Sequence, residues 1–443
     1  MLKTFKKGGV HPAENKFSAN APIVTAELPK TAQIPLGQHI GAPATILVNK
    51  GDKVKVGQLI AQSNGFVSAN IHSSVSGTVA KIDNSIDSSG FSRACIFITV
   101  EGDEWEESID KTEKINTNLS HTAETILTKV KEAGIVGLGG ATFPTHIKLS
   151  PPPGKKAEVL LINGVECEPY LTADHRLMLE KGEEILIGTK LLMIALGVTK
   201  GAIGIENNKP DAIKNLSELA KKYEGIQIVP LKVKYPQGGE KQLIKAVINR
   251  EIPSGALPIA VGAVVQNVAT AFAVYEAVQK NKPLFERVVT VTGKSVKNPS
   301  NFLVRIGTPT MQLIEAAGGL PDDTGKVVSG GPMMGKALST LDTPIAKGSS
   351  GVLLFNTQEA TRQPVEPCIR CSKCVTVCPM GLEPYLLMTL AEKQIWDRSE
   401  EERTMDCIEC GSCMYTCPAS RPLLDYIRLS KATVGKIMRT RKQ

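Results

Sequence analysis

The feature that most constrains this chain is a pair of matching cysteine runs near its C-terminal end. In each run three cysteines are spaced two residues apart, and a fourth follows after three more residues, directly before a proline. Three thiolates so spaced can hold one face of an iron–sulfur cubane, while the fourth binds the cubane of the other run. The spacing therefore predicts two [4Fe–4S] clusters. The ligands of one are Cys368, Cys371, Cys374 and Cys417, and the ligands of the other are Cys378, Cys407, Cys410 and Cys413.

Zinc is the alternative occupant of these cysteines, because paired C-x-x-C motifs also hold zinc with four thiolates per ion. With zinc the chain would be a non-catalytic adaptor. Zinc gives no reason, however, for the third evenly spaced cysteine or for the proline in both runs. Such dense metal-ligand spacing differs from a disulfide framework and indicates a reducing compartment. The two cysteines outside the runs, Cys95 and Cys167, are expected to be packing residues.

The composition is that of an ordinary globular protein. Of the 443 residues, 42% are hydrophobic and 22% are charged, so we expect about three or four domains. Basic and acidic residues are interleaved despite a formal net charge of +8, so nucleic acid is not an expected partner. No run reaches the ~18 apolar residues of a membrane span. We expect a soluble chain, or one attached to a membrane only through another protein.

Short strand signals alternate with Gly, Asn, Asp and Ser turns over about residues 20–100. The succession resembles the flattened β-sandwich of biotinyl and lipoyl carrier domains, which implies a barrel-sandwich hybrid over residues 1–115. Those domains present a modified lysine at a hairpin tip, but residues 64–69, in the corresponding place, include no lysine. We therefore expect a structural or docking role for this domain.

Strand and helix signals alternate over residues 118–285, which predicts an α/β domain with mostly parallel strands. One long helix is expected within it, over residues 175–196. The strand-rich residues 286–348 resemble a small β-grasp domain of the soluble ligand-binding type. Residues 349–367 are expected to be a linker into the cysteine-rich part.

The cysteine-rich module is assigned to residues 360–430. Its middle part, residues 382–404, is rich in Leu, Met, Glu, Lys and Arg and is predicted to form two helices. The module is therefore expected to be a helical ferredoxin-like variant. All charged residues within residues 431–443 are basic. This segment is expected to be a solvated tail, with attraction to an anionic membrane surface as the alternative.

A glycine-rich loop is the candidate anion site of the α/β domain. Gly137, Gly139 and Gly140 permit close approach of backbone amides to a phosphate, although such loops often hold no ligand. Polar residues that follow predicted strands or open a predicted helix strengthen the case, because carboxylates and amides suit ribose and polyol hydroxyls. They are Asn163, Glu166, Glu168, Glu240, Asn267 and Thr270, with Gly238 in the turn before Glu240.

These segments occur in the order known from one family. The run Gly137-x-Gly-Gly-x-x-Phe143-Pro-Thr145-x-x-Lys148 and the polar segments after it resemble the FMN- and NADH-binding domain of the flavin subunit of respiratory NADH dehydrogenase. Together with the sandwich, the β-grasp domain and the cysteine runs, they make the whole chain similar to the C subunit of the Rnf complex. That complex is an ion-pumping ferredoxin–NAD oxidoreductase.

The resemblance implies FMN and NAD(H) as cofactors beside the two clusters. The residues implied to hold the flavin are Gly137, Gly139, Gly140, Lys148, Asn163 and Glu166, with Asn267 and Thr270 at its phosphate end. The residues implied to contact the nicotinamide nucleotide are Phe143, Glu168 and Glu240.

By the same resemblance the chain is an oxidoreductase subunit that passes electrons between NAD(H), FMN and two [4Fe–4S] clusters. Hydride is exchanged at the flavin, so no catalytic side chain is expected. The implied partners are other subunits of a membrane complex, including another iron–sulfur subunit, which hold the chain at the cytoplasmic face. A soluble cobalamin reductase of the propanediol-utilisation type is the alternative enzyme, but there the glycine loop lies close to the N-terminus.

Overall fold

Four units follow one another along the chain in the computed structural model, which describes residues 2–441. The first strand, β1 (Ile23–Thr25), belongs to a later sheet. The strands of the first unit are β2 (Thr31–Pro35), β3 (Thr45–Ile46), β4 (Lys53–Val54), β5 (Leu59–Gln62), β6 (Ile71–His72), β7 (Gly77–Ile86) and β8 (Ser92–Val100). Two antiparallel sheets, in the orders β2-β8-β7-β4 and β3-β5-β6, enclose one core of mostly Ile, Val and Ala side chains.

The second unit alternates helices with strands. Its elements are α1 (Ala123–Glu132), α2 (Thr145–Lys148), β9 (Val159–Asn163), α3 (Ala173–Glu180), α4 (Gly182–Leu196), β10 (Gly201–Glu206), α5 (Pro210–Ala220), β11 (Ile226–Leu231), α6 (Glu240–Ile248), a 3₁₀ turn (Pro258–Val261), β12 (Ala263–Asn267) and α7 (Val268–Lys280). All four strands are parallel, in the order β11-β10-β9-β12. Side chains alternate across β9, so Leu160 packs with α4 and α7 whereas Leu161 packs with α6.

The single helix predicted over residues 175–196 was wrong, because the structure has two helices there. Lys181 leaves the helical conformation between α3 and α4, with φ −126° and ψ 32°. The Asn215 side chain donates to the Met178 and Leu179 carbonyls at 3.0 and 3.3 Å. The Asn215 side chain of α5 thus satisfies carbonyls at the end of α3. No local sequence pattern indicates this contact, because Asn215 lies far along the chain from α3.

The third unit is a mixed six-stranded sheet. Its further elements are β13 (Glu286–Thr292), β14 (Ser300–Arg305), α8 (Thr310–Ala316), β15 (Thr324–Ser329), β16 (Lys336–Ala337), β17 (Gly351–Asn356) and α9 (Thr357–Ala360). The strand order is β1-β14-β13-β17-β15-β16. The prediction of a linker over residues 349–367 was wrong where β17 inserts between β13 and β15. The N-terminal segment also contributes, since β1 pairs in parallel with β14.

The last unit contains the cysteine runs. Its helices are α10 (Lys373–Thr376), α11 (Pro384–Glu392), α12 (Trp396–Glu401), a 3₁₀ turn (Thr404–Asp406), α13 (Ser412–Tyr415) and α14 (Leu423–Thr440). The two helices predicted over residues 382–404 are confirmed as α11 and α12. The predicted tail is instead the end of α14 as far as Thr440, while residues 442 and 443 lie outside the described part. No helix within residues 2–441 is long and apolar enough to cross a membrane.

Because β17 lies inside the mixed sheet, shortening a buried side chain there should destabilise this unit. Leu353 is fully buried and packs with Tyr170 and Val328. Leu353→Ala is expected to lower the free energy of unfolding by about 2–5 kcal/mol. The control is Leu257→Ala, since Leu257 is 67% exposed. Denaturant unfolding, followed by circular dichroism, measures the free energy of unfolding of both variants. Equal denaturant midpoints for the two variants would contradict the position of β17 inside the sheet.

Candidate functional site

The crevice between β9 and β12 is where an open parallel sheet of this kind binds ligands. β10 and β11 extend the sheet on one side of β9 and β12 lies on the other, so the strand order reverses there. Ligands of such sheets bind outside the carboxyl ends of the strands at that reversal. Asn163 ends β9 and is in register with Asn267, which ends β12. Both were predicted for the flavin, and the structure brings them together.

The N-terminus of α7 fixes the glycine-rich loop beside this crevice. Asn267 caps the helix by accepting a hydrogen bond from the Ala269 amide at 2.8 Å, and its own amide donates to Asp174 at 2.7 Å. The buried Thr270 hydroxyl accepts from the Leu138 amide at 2.9 Å. Loop and helix end thus meet where the positive end of a helix dipole favours an anion.

The glycine-rich loop leaves open space for a ligand. It is closed by a hydrogen bond from the Gly137 amide to the Phe143 carbonyl at 2.9 Å. Gly140 has φ +107°, and a Cβ placed there would have no heavy atom within 4 Å. The atoms nearest to a Cβ at Gly139 would belong to the Asn267 side chain, the closest at 3.5 Å. The loop therefore offers backbone beside Asn267 with room for a phosphate or a flavin, so these residues fit the implied FMN.

Lys148 and Glu240 form an ion pair beside the end of β12. Nζ of Lys148 lies 2.9 Å from Oε1 of Glu240 and donates to the Val265 carbonyl at 3.1 Å. Lys148 ends α2 and Glu240 begins α6, and both side chains stay partly exposed. Two residues predicted for different nucleotides therefore share one rim of the crevice, where either can meet a ligand.

The segment after β9 forms a hook that buries carboxylates. Glu166 accepts hydrogen bonds from the Asp174 and His175 amides at 2.8 and 3.1 Å, in the first turn of α3. Burial, reinforced by the Glu166 charge, raises the pKa of Asp174. Sequence reasoning missed Asp174, although an acid that opens a helix after a polar turn is a signal that could have found it.

Lys16 is a second residue that sequence reasoning missed. Its ammonium group donates to the carbonyls of Glu166, Glu168 and Leu171 at 3.0, 2.8 and 2.6 Å. Burial lowers the pKa of Lys16 to about 8. Lys16 lies 150 residues before Glu166, so no local pattern could have predicted that it holds the hook.

Glu168 points away from the crevice, into the mixed sheet unit. Its carboxylate accepts hydrogen bonds from the Met333 and Met334 amides at 3.1 and 2.9 Å. A Cβ at Gly331 would lie 2.3 Å from its Oε2. Burial raises the pKa of Glu168 to about 7. The implied contact of Glu168 with the nicotinamide nucleotide stays a prediction, and these contacts oppose it because both carboxylate oxygens already have partners.

The cysteines assemble into two groups that mix the two runs. Burial raises the pKa of the Cys413 thiol, and the nearby Cys407, Cys410 and Cys378 thiols raise it further. In the other group burial raises the pKa of the Cys374 thiol, and the nearby Cys417 and Cys368 thiols raise it further. The fourth cysteine of each run therefore lies with the other run, which is the arrangement that the predicted exchange of ligands requires.

Both runs share a backbone geometry suited to clusters. Arg370 and Ser372 in the first run have φ 55° and 59°, and Glu409 and Gly411 in the second have φ 56° and 77°. Left-handed residues next to right-handed ones direct successive amides into a concavity that binds anions, including iron–sulfur clusters. The runs therefore fit the implied clusters at the level of the backbone.

The side chains fit a cluster as well. One cavity is lined by the four cysteines of the group around Cys413 and by apolar side chains. They include Cys378, Cys407, Cys410, Cys413, Leu382, Leu387 and Ile427. Within the part of the chain that the structure describes, no three His, Cys, Asp or Glu side chains are close enough to hold a single metal ion.

The two cysteines outside the runs are packing residues, as expected. Cys95 is fully buried, and burial raises the pKa of its thiol to about 12. The Cys167 sulfur accepts a hydrogen bond from the Gly238 amide at 3.3 Å, and burial raises the pKa of this thiol too. Neither thiol is activated as a nucleophile.

The turn after β11 joins the crevice to the cysteine module. The Tyr235 hydroxyl donates to the Cys410 carbonyl at 2.8 Å. Three residues later, the Gly238 carbonyl accepts from the Asn163 side chain at 2.9 Å. One short turn therefore contacts the predicted flavin site on one side and a cysteine group on the other.

Four family models match the chain in the order of its structural units. They are the RnfC barrel sandwich hybrid domain over residues 3–103, the Nuo51 FMN-binding domain over 130–276, the SLBB domain over 288–337 and the 4Fe-4S dicluster domain over 361–418. The FMN-binding and dicluster domains confirm the predicted FMN and [4Fe–4S] cofactors.

Curated relatives match the chain from end to end. It is 49% identical over 439 residues to the C subunit of the proton-translocating ferredoxin:NAD(+) oxidoreductase complex of Clostridium ljungdahlii, covering 98% of this chain and 94% of that protein. It is 45% identical over 430 residues to the C subunit of the Na(+)-translocating complex of Acetobacterium woodii, covering 97% and 96%. The chain belongs to the RnfC family. The family predicted from the sequence is therefore confirmed.

Solved structures support the fold class predicted for this chain. The NAD+-reducing [NiFe]-hydrogenase in its H2-reduced state matches with a TM-score of 0.51 at 19% identity, covering 74% of this chain and 65% of that chain. The air-oxidized state matches with a TM-score of 0.50 at 19% identity, covering 71% and 66%. At this identity the likeness concerns the fold alone. With the four domain matches, the multidomain fold class is confirmed.

The buried Glu168 carboxyl should make the free energy of unfolding fall as the pH rises. Its pKa rises from the ordinary 4.5 to about 7, so between these values the folded protein binds more protons than the unfolded chain. Its contribution is therefore present at low pH and is lost as the pH rises toward the folded pKa. Glu168→Gln removes the titration but keeps an acceptor. From about pH 5.5 to about pH 8 we expect the variant to lose about 2 kcal/mol less stability than the unchanged protein.

The matched control for this prediction is Glu366→Gln, since Glu366 is an exposed carboxyl. Denaturant unfolding at several pH values measures the free energy of unfolding of both variants and of the unchanged protein. If the three stability profiles run parallel, the Glu168 carboxyl does not have the raised pKa.

Proposed function

We propose that this chain is the NAD(H)-linked flavin and iron–sulfur subunit of an ion-translocating ferredoxin:NAD(+) oxidoreductase complex. The observation that carries the proposal is the turn at residues 235–240, which contacts both the crevice of the parallel sheet and a cysteine group. Family membership supports the same function, because the relatives from Clostridium ljungdahlii and Acetobacterium woodii are named as subunits of such complexes.

FMN would be held in the crevice between β9 and β12. The residues that would hold it are Gly137, Gly139, Gly140, Lys148, Asn163 and Glu166, with Asn267 and Thr270 near its phosphate. Bound FMN supplies the exchange between the two-electron chemistry of NAD(H) and the one-electron chemistry of the clusters. The chain contributes binding and orientation: the N-terminus of α7 favours a phosphate, and Lys148 adds a cation at the rim. Neither task requires a side-chain acid or base.

Phe143 and Glu240 would contact the nicotinamide nucleotide. Both are only partly buried, Phe143 on the glycine-rich loop and Glu240 in the first turn of α6. Gly238, two residues before Glu240, would let the backbone approach closely, because a Cβ there would lie 3.2 Å from the Cys167 sulfur and 3.5 Å from the Asn163 side chain. Glu168 instead anchors the loop of the mixed sheet at Met333, so its role is to position the hook.

Eight cysteines would hold the two clusters, in the exchanged arrangement predicted from their spacing. Burial raises the pKa of several of these thiols, that of Cys407 to about 11. A buried thiolate is therefore unfavourable without metal, and iron binding must release the thiol protons. Assembly of the clusters and folding of this module are coupled for that reason.

The chain would lie at the cytoplasmic face of the membrane, held there by partner subunits that include another iron–sulfur subunit. Its cysteine ligands need a reducing compartment, and that is where NAD(H) is used. The cobalamin reductase and zinc adaptor alternatives are not favoured, because the relatives that match end to end are ferredoxin:NAD(+) oxidoreductase subunits.

Anaerobic purification followed by addition of NADH tests this function. The protein should carry about eight iron, about eight sulfide and about one FMN per chain. NADH should bleach the absorbance of the flavin and then of the clusters. A protein with about two zinc ions and no flavin would sink the proposal.

Cysteine variants sharpen the same experiment. Cys410→Ala removes one ligand of one cluster, so iron should fall to about four per chain while NADH still bleaches the flavin. The control is Cys95→Ala, which removes a buried thiol that is no ligand and should leave the iron content unchanged. Equal iron content in the two variants would show that Cys410 is not a ligand.

A further inference from the structure

The two cysteine groups face different surroundings. In the group around Cys410, here termed the inner group, Cys378, Cys410 and Cys413 are buried. The Tyr235 hydroxyl bonds the Cys410 carbonyl at 2.8 Å, and Gln242 donates to the carbonyl of the proline after Cys378 at 3.4 Å. Residues of the flavin domain therefore cover the inner group directly, and the cluster held there is the one next to the flavin.

The other group, termed the outer group, contains Cys368, Cys374 and Cys417 as neighbours, and the spacing predicts Cys371 as its fourth member. This group has an exposed side. Residues 361–373 are exposed without interruption, including Cys368 and Cys371. Ile369 is 69% exposed and Val365 is 57% exposed within the same stretch. We term residues 361–373 the outer face. Large apolar side chains that are exposed next to each other, here beside predicted cluster ligands, are typical of an interaction surface.

The second cysteine run shows how the equivalent positions are covered there. Glu409 stands in the place of Arg370 and pairs with Lys431 at 2.6 Å. Ser412 stands in the place of Lys373 and is fully buried. The chain covers the second run with its own residues and leaves the matching side of the first run bare. This difference indicates that the cover of the outer face comes from another molecule.

The charge of the outer face indicates what that molecule is. The outer face carries three cationic side chains and one carboxylate. The cations are Arg362, Arg370 and Lys373, and the carboxylate is Glu366. Arg362 is paired with Asp425 at 2.6 Å, whereas Arg370 and Lys373 make no ion pair within residues 2–441. A cationic surface raises the association rate of an acidic partner and suppresses binding of a basic one.

We infer that the outer face docks an iron–sulfur protein with carboxylates around its own cluster, and that electrons cross between the proteins at the outer group. The inference rests on the proposed function and deepens it by naming the exit and the chemistry of the partner. Electrons cross singly: two reduced carriers deliver two electrons, and NAD+ with one proton takes up both to become NADH. The reverse direction balances in the same way.

Reversal of two charges in the cofactor-loaded full chain tests the inference. Arg362→Glu combined with Lys373→Glu should keep the fold, because both side chains are exposed and the surface pair of Arg362 with Asp425 contributes little to stability. The probe is an acidic two-cluster ferredoxin, and stopped-flow absorbance measures NADH formation from its reduced form at low and high salt. We expect the second-order rate constant at low salt to fall at least about tenfold and to lose most of its salt dependence.

The matched control is Lys155→Glu combined with Lys156→Glu. It makes the same change in net charge on exposed residues of the loop before β9, at the sheet end opposite the crevice. The rate constant of this variant should stay within about twofold of the unchanged protein. NADH should bleach flavin and clusters equally in all three proteins. Failure of that bleaching would count against the proposed function, whereas a normal bleach without a charge effect would count against the docking inference alone.

Two outcomes would overturn the inference. One is equal rate constants for the two double variants with ferredoxin. The other is an unchanged ferredoxin rate combined with loss of binding to anionic phospholipid vesicles, or of self-association, in the outer-face variant. Those results would assign the outer face to a membrane surface or to a second copy of the chain.

Discussion

The arrangement of the whole chain depends on one buried contact, the hydrogen bond from the Tyr235 hydroxyl to the Cys410 carbonyl at 2.8 Å. Tyr235 is held by its backbone as well, because its amide and its carbonyl bond Val10 at 2.9 and 2.8 Å. Oε1 of Glu168 lies 3.4 Å from the same hydroxyl. Tyr235 is therefore the point where four segments meet: the N-terminal segment, the hook, the turn after β11 and the second cysteine run. Its contacts set the distance between the flavin crevice and the inner group.

Buried lysines hold the other units against the flavin domain. Lys16 bonds three carbonyls of the hook. Lys347, fully buried in the segment just before β17, donates to the Asn70 and Gly134 carbonyls at 2.7 Å each. A buried ammonium group without such partners would cost several kcal/mol. Since Gly134 leads into the glycine-rich loop, the shape of the crevice depends on the sandwich and on the mixed sheet, and not on the α/β domain alone.

Local spacing explains what could be predicted from the sequence. The grouping of the fourth cysteine of each run with the other run follows from spacing that is local in the chain. The same holds for the asparagines at two strand ends. The predictions failed where the deciding partner is distant. The apolar run of β17 becomes an inner strand only beside β13 and β15, and nothing near Glu168 points to Met333, which lies 165 residues away. Tertiary contacts of this kind leave no periodic signal.

The most direct test of this account is a density map of the cofactor-loaded protein, read for the distance from the flavin ring to each cluster. The account predicts that the flavin lies between the ends of β9 and β12. It also predicts that the cluster held by Cys378, Cys407, Cys410 and Cys413 is the nearer of the two. A map in which the cluster with Cys368 and Cys371 lies nearer the flavin, or in which the crevice at Asn163 and Asn267 holds no flavin, would contradict it.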